Sequence, residues 1–273
     1  MGMLNQIKKE ALGNNTIIQS SQELKLMQIL NRTFYLDKDV EKETAFVKQV
    51  MTRGEESQER VGLHASSFIQ GQADFCTRAH VLSQVTKALK VNTHPVGLMR
   101  IFEEGNAIHE KCQRLFIRAG FAEVHELDLT QHDKEFGISF TPDIISRIPE
   151  FENGMPMVGE LKSVNTFQFQ KMKRHPTASK QMQWYMYLTG IHKGFVLNED
   201  KNNQDFKIEL YDYDPEIVEP YIKRAKKIKY YTDLFLNEKK LIACDHGGHC
   251  KNCDNYSIKQ AVRNIDNNEL LKY

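Results

Sequence analysis

Three residues between positions 143 and 162 have the types that hydrolysis of a phosphodiester needs. Asp143 lies in Phe140-Thr141-Pro142-Asp143-Ile144-Ile145, and Glu160 and Lys162 lie in Val158-Gly159-Glu160-Leu161-Lys162-Ser163. Around the second segment Met157, Leu161 and Ser163 alternate with Val158, Glu160 and Lys162, the period-two pattern of a strand. Side chains of a strand alternate between faces, so Glu160 and Lys162 point the same way. A carboxylate and an ammonium set side by side in an apolar strand cost desolvation, which calls for a reason. Two carboxylates can hold a hard divalent cation, and a lysine can steer or activate the attacking water. A surface strand with a salt bridge would carry the same triple, and these residues alone do not separate the two.

The cysteines form a second constellation. Of five in the chain, Cys244, Cys250 and Cys253 crowd into ten residues, with His246, Gly247, Gly248 and His249 among them. That density points to metal ligation rather than packing. Two completions stand open. Cys76 as a fourth thiolate would give an iron–sulfur cluster, whereas His246 or His249 would complete a local three-cysteine, one-histidine Zn²⁺ site. Either would be structural, and a site that includes Cys76 closes a very long loop. Cys112 falls in the apolar stripe of a helix and reads as an ordinary buried thiol. A third group, Lys171, Lys173, Arg174, His175 and Lys180 with Phe167, Phe169 and Trp184 nearby, suits a single-stranded DNA track in which cations follow phosphates and rings stack on bases. A solvated loop with core aromatics is the plainer alternative, and the run Lys223, Arg224, Lys226, Lys227, Lys229 reads as a solvated helix face.

These residues need a scaffold, and 273 residues suffice for one core with an elaboration. A net charge of +1 supplies no global attraction to nucleic acid, so any binding must come from a local basic stripe. No apolar run approaches membrane-spanning length, and the first residues lack the apolar core of a signal peptide. A cytoplasmic protein is expected, or a viral one acting in the host cytoplasm, with no membrane partner. Residues 1–38 read as an arm or loosely packed helix, within an N-terminal helical elaboration over 1–62. Residues 39–53 form a helix capped by Asp39 with Val40, Val47, Val50 and Met51 inward. Asp74 is expected to cap a helix that buries Phe75, Ala79, Leu82, Val85 and Leu89. A further helix over 106–119 carries His109 at the edge of its apolar face. Segments 124–129, 136–141, 143–148 and 157–164 read as successive strands of one sheet. A helix capped by Thr177 and closed by Gly190, strands at 194–198 and 206–212, and a long helix from Asp214-Pro215 complete a core over 63–240. The inner stripe of that long helix is Ile217, Tyr221, Ala225, Ile228 and Phe235. Residues 241–273 hold the cysteine cluster and a polar helical tail.

Taken in order, Gly105-Asn106-Ala107-Ile108-His109, Pro142-Asp143, Glu160-Leu161-Lys162 and Gln181-Met182-Gln183-Trp184-Tyr185 resemble the motifs of the RecB-type branch of the PD-(D/E)xK nuclease superfamily. With Cys76-Thr77-Arg78 upstream, the chain is similar to its iron–sulfur exonucleases, the AddB nuclease domain and the CRISPR-adaptation exonucleases, although the C-terminal cysteine spacing is the reverse of the common one. The resemblance implies an α/β restriction-endonuclease-like mixed sheet flanked by helices. It implies that His109, Asp143 and Glu160 ligate Mg²⁺ or Mn²⁺ and that Lys162 positions the hydrolytic water. Gln181 and Tyr185 would orient the scissile strand or the lysine. Cys76, Cys244, Cys250 and Cys253 would hold a 4Fe-4S cluster. The implied function is a DNA exonuclease acting on ends or single strands, open to a homo-oligomer and to recombination or repair partner proteins. A structure-selective endonuclease, an RNase of the same fold, and a non-catalytic zinc-containing nucleic-acid-binding module are the rivals.

Overall fold

The structure, a computed structural model, describes residues 19–34, 36, 38–53, 63–86, 96–123, 131–248, 250–253 and 256–267. Two helices come first, α1 (Ser21–Thr33) and α2 (Val40–Arg53). Far from being loosely packed, α1 buries Leu26 and Leu30 completely. Its capping box joins Ser20 and Glu23, so local sequence sets where it begins. Asp39 does cap α2 by accepting the Lys42 N–H. The expected inner stripe is off by part of a turn, because Val40 and Met51 are exposed and Phe46 and Glu43 are buried. Glu43 earns its burial from Arg114 and Arg118, which both donate to it.

After a short strand β1 (Leu63–His64) come α3 (Thr77–Thr86) and α4 (Val96–Arg118). The α3 helix starts later than Asp74, and the first N–H of the helix, on Thr77, goes to the carboxylate of Asp245 from the other end of the chain. The α4 helix starts ten residues before its expected beginning at Asn106, since its first turns are exposed and leave no periodic mark. Strands β2 (Gln131–His132) and β3 (Ile138–Phe140) follow. Then come β4 (Ile144–Arg147), β5 (Pro156–Val164), a short helix α5 (Thr166–Lys171) and α6 (Ala178–Thr189). Strands β6 (Lys193–Asp200) and β7 (Phe206–Asp212) lead to α7 (Pro215–Glu238) and α8 (Ile258–Asp266). The expected strand at 124–129 lies outside the described residues.

The described strands make two sheets rather than one. β3 pairs with β1 and β2 in a three-stranded sheet, while β4-β5-β6-β7 form the four-stranded sheet. Thr141-Pro142 separates them, and proline cannot donate to a ladder, so the chain leaves one sheet before entering the next. In the larger sheet β5 and β6 are parallel and both outer pairs antiparallel, a mixed arrangement. Helices cover both faces. Met157, Leu161, Phe195 and Leu197 face the core built with α1, α2 and α4. Val158 and Val196 face the core built with α3, α6 and α7. Glu160 shares the second face by alternation with Val158. On α7 the buried set is Val218, Tyr221, Ala225, Ile228 and Phe235, with Ile217 turned outward.

On the face opposite Glu160, Gly159 makes room for the ring of its ladder partner Phe195. A Cβ there would stand 2.5 Å from Phe195 Cζ, inside contact distance. Phe195 is fully buried and stacked on Phe116, so it has nowhere to retreat. Gly159→Ala should therefore destabilise the fold by about 1–3 kcal/mol, read as a lower midpoint in urea unfolding.

Candidate active site and cysteine centre

β5 delivers Glu160 and Lys162 to one face, as alternation predicts. Glu160 is 1% exposed, and its Oε1 accepts from Lys162 Nζ. Its Oε2 is buried without a partner among the described residues, an arrangement that costs free energy unless something else binds there. Asp143 stands in the turn just ahead of β4. Ile144 pairs with Gly159, and one further step of the antiparallel register sets Asp143 beside Glu160. Its Oδ2 accepts the Leu161 N–H at 2.8 Å, and Gln113 Nε2 donates to its carbonyl at 2.8 Å. The other oxygen, Oδ1, is 3.7 Å from His109 Nδ1. The imidazole comes from α4, which covers the opposite face of the sheet, so Asp143 connects the two layers at the point where the strand begins.

Electrostatics follow from that crowding. Burial, then the neighbouring Asp143 carboxylate, push Glu160 up to about 8. Burial alone would drive the Lys162 ammonium to lose its proton, but Glu160 and Asp143 outweigh it and hold the lysine charged. Two carboxylates sharing one ammonium, with one buried oxygen left over, form a site short of positive charge. That chemistry fits a divalent cation among oxygen ligands, and His109 is tolerable to Mn²⁺ as well as Mg²⁺.

The other expected residues fall in different places. Gln181 Nε2 donates to the Tyr185 hydroxyl at 3.0 Å across one turn of α6, and Tyr185, 2% exposed, sits against Phe140. Thr177 stands at the N-cap of α6 without a side-chain cap; the His175 ring accepts the Ala178 N–H instead. Of the basic stripe, Lys171, Lys173, Arg174 and Lys180 are exposed, and Lys171 Nζ lies 3.9 Å from the centre of the exposed Phe167 ring. Trp184 and Phe169 do not belong to an open track. Trp184 is fully buried and stacked on Tyr187, and Phe169 is buried under Lys207. A helix places successive residues on all sides, so sequence proximity to lysines does not put a ring on their side. Lys227 and Arg224 are engaged rather than simply solvated: Lys227 binds Asp245, and Arg224 donates to the Phe68 and Gln70 carbonyls. Cys112 is the buried thiol expected, donating to Glu199 Oε2, and burial holds it far above the ordinary thiol range.

A polar network beside Lys162 escaped the sequence. Asn198 and Glu209 are 1% and 5% exposed. Glu209 accepts from Asn198 Nδ2 at 2.6 Å, from the His175 N–H at 2.9 Å and from the Tyr211 hydroxyl. Phe206, Ile208 and Leu210 mark β7 as a strand, but their alternation implies a solvated far side. The helix α6 and the α5 segment cover that side, and local pattern does not record coverage.

At the far end of the core, Cys76, Cys244, Cys250 and Cys253 bring their sulfurs within 4.8 Å of one another. Among the described residues this is the one group of metal-ligating side chains so tightly closed. The structure brings Cys76 to the three C-terminal sulfurs, while His246 Nε2 lies 3.1 Å from the Phe75 carbonyl; His249 lies outside the described residues. Cys76 immediately precedes α3, and the other three lie between α7 and α8. Burial pushes Cys76 up to about 12. For Cys250, N–H groups of Cys253 and Asn252 and the neighbouring thiols outweigh burial and bring it to about 7. Four thiols, with no histidine among the described residues of the group, fit a thiolate-preferring metal centre.

Glu160 also sets a pH dependence. Between about 4.5 and 8 folded Glu160 keeps a proton that the unfolded chain has released. Folding then takes up a proton, and stability falls as pH rises through that window. Cation-free protein should melt lower at pH 8 than at pH 6 in a chelating buffer, and Glu160→Gln should flatten the difference. An unchanged slope in Glu160→Gln would assign the dependence to other groups.

No family model matches the chain, and no curated protein does. Among solved structures, the chain is similar to the alkaline exonuclease LHK-Exo from Laribacter hongkongensis, at 15% identity over 63% of this chain and 88% of that one, with a TM-score of 0.45. The same exonuclease in complex with dAMP gives the same identity and coverage at a TM-score of 0.47. SSO0001 is similar at 13% identity over 72% of this chain and 87% of that one, with a TM-score of 0.37.

Proposed function

We propose that the chain is a PD-(D/E)xK-type nuclease of the RecB-like kind, a divalent-metal-dependent phosphodiesterase that degrades DNA from ends or in single strands. The observation that carries this is Glu160 Oε2, a buried carboxylate oxygen without a partner beside Asp143 and Lys162. A surface salt bridge, the plain alternative, leaves no such oxygen and would not be buried. Glu160 and Asp143, with His109 from α4, would hold Mg²⁺ or Mn²⁺. When bound, such a cation neutralises phosphate charge and supplies a nucleophilic water at neutral pH. Lys162 is held charged where negative charge would build on the phosphorane, and its ammonium can orient the water. Gln181, half-buried on α6, would orient the scissile strand or the lysine, and buried Tyr185 would act through it, since its hydroxyl accepts from Gln181 Nε2. Exposed Lys171, Lys173, Arg174 and Lys180 would follow the phosphates, with Phe167 available for stacking.

The cysteine centre is proposed as a structural clamp. Four thiolates, one from before α3 and three after α7, support the iron–sulfur reading. A second reading, a single Zn²⁺, is favoured by one distance. Cys76 and Cys244 sulfurs are 3.9 Å apart, and the edge of a tetrahedron with metal–sulfur bonds of about 2.3 Å is about 3.8 Å. In a cluster each thiolate binds its own iron, and the sulfurs stand wider.

Asp143→Ala and Lys162→Ala should each lower Mg²⁺- or Mn²⁺-dependent degradation of labelled linear DNA by at least about 10³-fold, with circular dichroism unchanged. Full activity in both variants would sink the nuclease reading; cutting of closed circular DNA or RNA would instead shift it to an endonuclease or RNase. For the cysteine centre, anaerobically purified protein absorbing broadly near about 400 nm identifies an iron–sulfur cluster. Colourless protein with one zinc per chain identifies the single ion. Cys76→Ser should release the metal in either case.

A further inference from the structure

On the face of the sheet that bears Glu160 there is a second buried oxygen without a partner among the described residues, Asn198 Oδ1. Asn198 is the direct ladder partner of Lys162 in the parallel β5–β6 pairing. Paired residues point to the same face of a sheet, with strands about 4.8 Å apart. The orientation of the amide is fixed by its other end. Nδ2 donates to Glu209 Oε1 at 2.6 Å, and a carboxylate can only accept. Glu209 is itself held by the His175 N–H and the Tyr211 hydroxyl, so the amide is not free to turn over, and Oδ1 stays where it is. A buried amide oxygen locked in place without a donor implies a donor that arrives in another state of the site.

Two lysines flank Asn198 in the ladder on that face, Lys162 on β5 and Lys207 on β7. Lys207 Nζ donates to the Phe169 carbonyl and lies over its ring, whereas the Lys162 ammonium binds Glu160 Oε1, the group a cation would take over. A divalent cation at Glu160 would claim that carboxylate and repel the ammonium. We infer that Asn198 is a positioning residue: it receives the Lys162 ammonium when a cation takes over Glu160, and so holds the lysine beside the water rather than letting it drift from the site. The inference rests on the metal-site reading above. It explains why a polar residue occupies a buried position of a central strand, and why buried Glu209, held by half-buried Tyr211, stands behind it although neither has a place among the metal ligands.

The test has a readout that does not depend on turnover. In ¹⁵N-labelled full-length protein, titration with Mg²⁺ should shift the Asn198 side-chain amide resonances, and Lys162→Ala should abolish that shift while leaving the Mg²⁺-dependent change at the Asp143 backbone amide. A shift that persists in Lys162→Ala, or none in the wild type while Asp143 responds, overturns the inference and leaves Oδ1 to a trapped water. No response at Asp143 in the wild type would instead refute the metal site. In kinetics, Asn198→Ala and the volume-filling Asn198→Leu should each lower kcat about 10-fold or more with KM within about twofold. Neither should lower the residual rate of Lys162→Ala further. Equal losses in both backgrounds would mean that Asn198 acts without Lys162.

Discussion

The chain depends on one expensive arrangement, a carboxylate taken out of water on a central strand. Glu160 is buried by α6 above it and by its own ladder, and only Lys162 answers one of its oxygens. Burial penalises the ionised form of such a group, which is why Glu160 holds its proton so far above the usual carboxylate range and why Lys162 beside it matters. Neighbouring groups keep the strand in place. Leu161 gives its N–H to Asp143, Gln113 pins the Asp143 carbonyl, and Gly159 leaves room for the Phe195 ring on the other face of β5. The helices come to the sheet from both sides, and the two layers meet in the contact between His109 and Asp143.

What the sequence discloses about such a site follows from how each part is encoded. Glu160 and Lys162 are two apart on a strand, and strand alternation is a local property, so their shared face is legible. Helix ends set by neighbours a few residues away are legible too, as with Asp39 and with Asp214-Pro215. Boundaries set from a distance are not. The first N–H of α3 is capped by Asp245, 168 residues later, and no window around Asp74 contains that information. The separation of β3 from β4 was written in Pro142, whose inability to join a ladder weighs more than the apolar character of the residues on either side.

Burial of polar residues is the hardest to foresee. Asn198 and Glu209 look like the wet side of an ordinary strand until α5 and α6 fold across them. The same is true in reverse of Trp184, whose neighbours Lys180 and Gln183 give it the look of a binding residue, though it lies at the centre of the core against Phe68, Tyr187 and Tyr221. In each case the deciding fact is which element covers which face, a tertiary property that composition does not carry.

The N-terminal helix has a role beyond packing. Gln19 Nε2 donates to the Ile208 carbonyl, and Glu23 Oε1 accepts the Leu210 N–H, so α1 occupies backbone groups along β7, the outer strand of the four-stranded sheet. At the opposite margin the Arg147 N–H of β4 is taken by the Phe121 carbonyl. An open sheet margin is a template on which another chain can grow its own strand. Here both margins carry stoppers, and the sheet is closed to extension at those points. At those points a strand from another copy would have to displace α1 or the Phe121 carbonyl before it could pair, which protects the register of β5 and the carboxylate it carries.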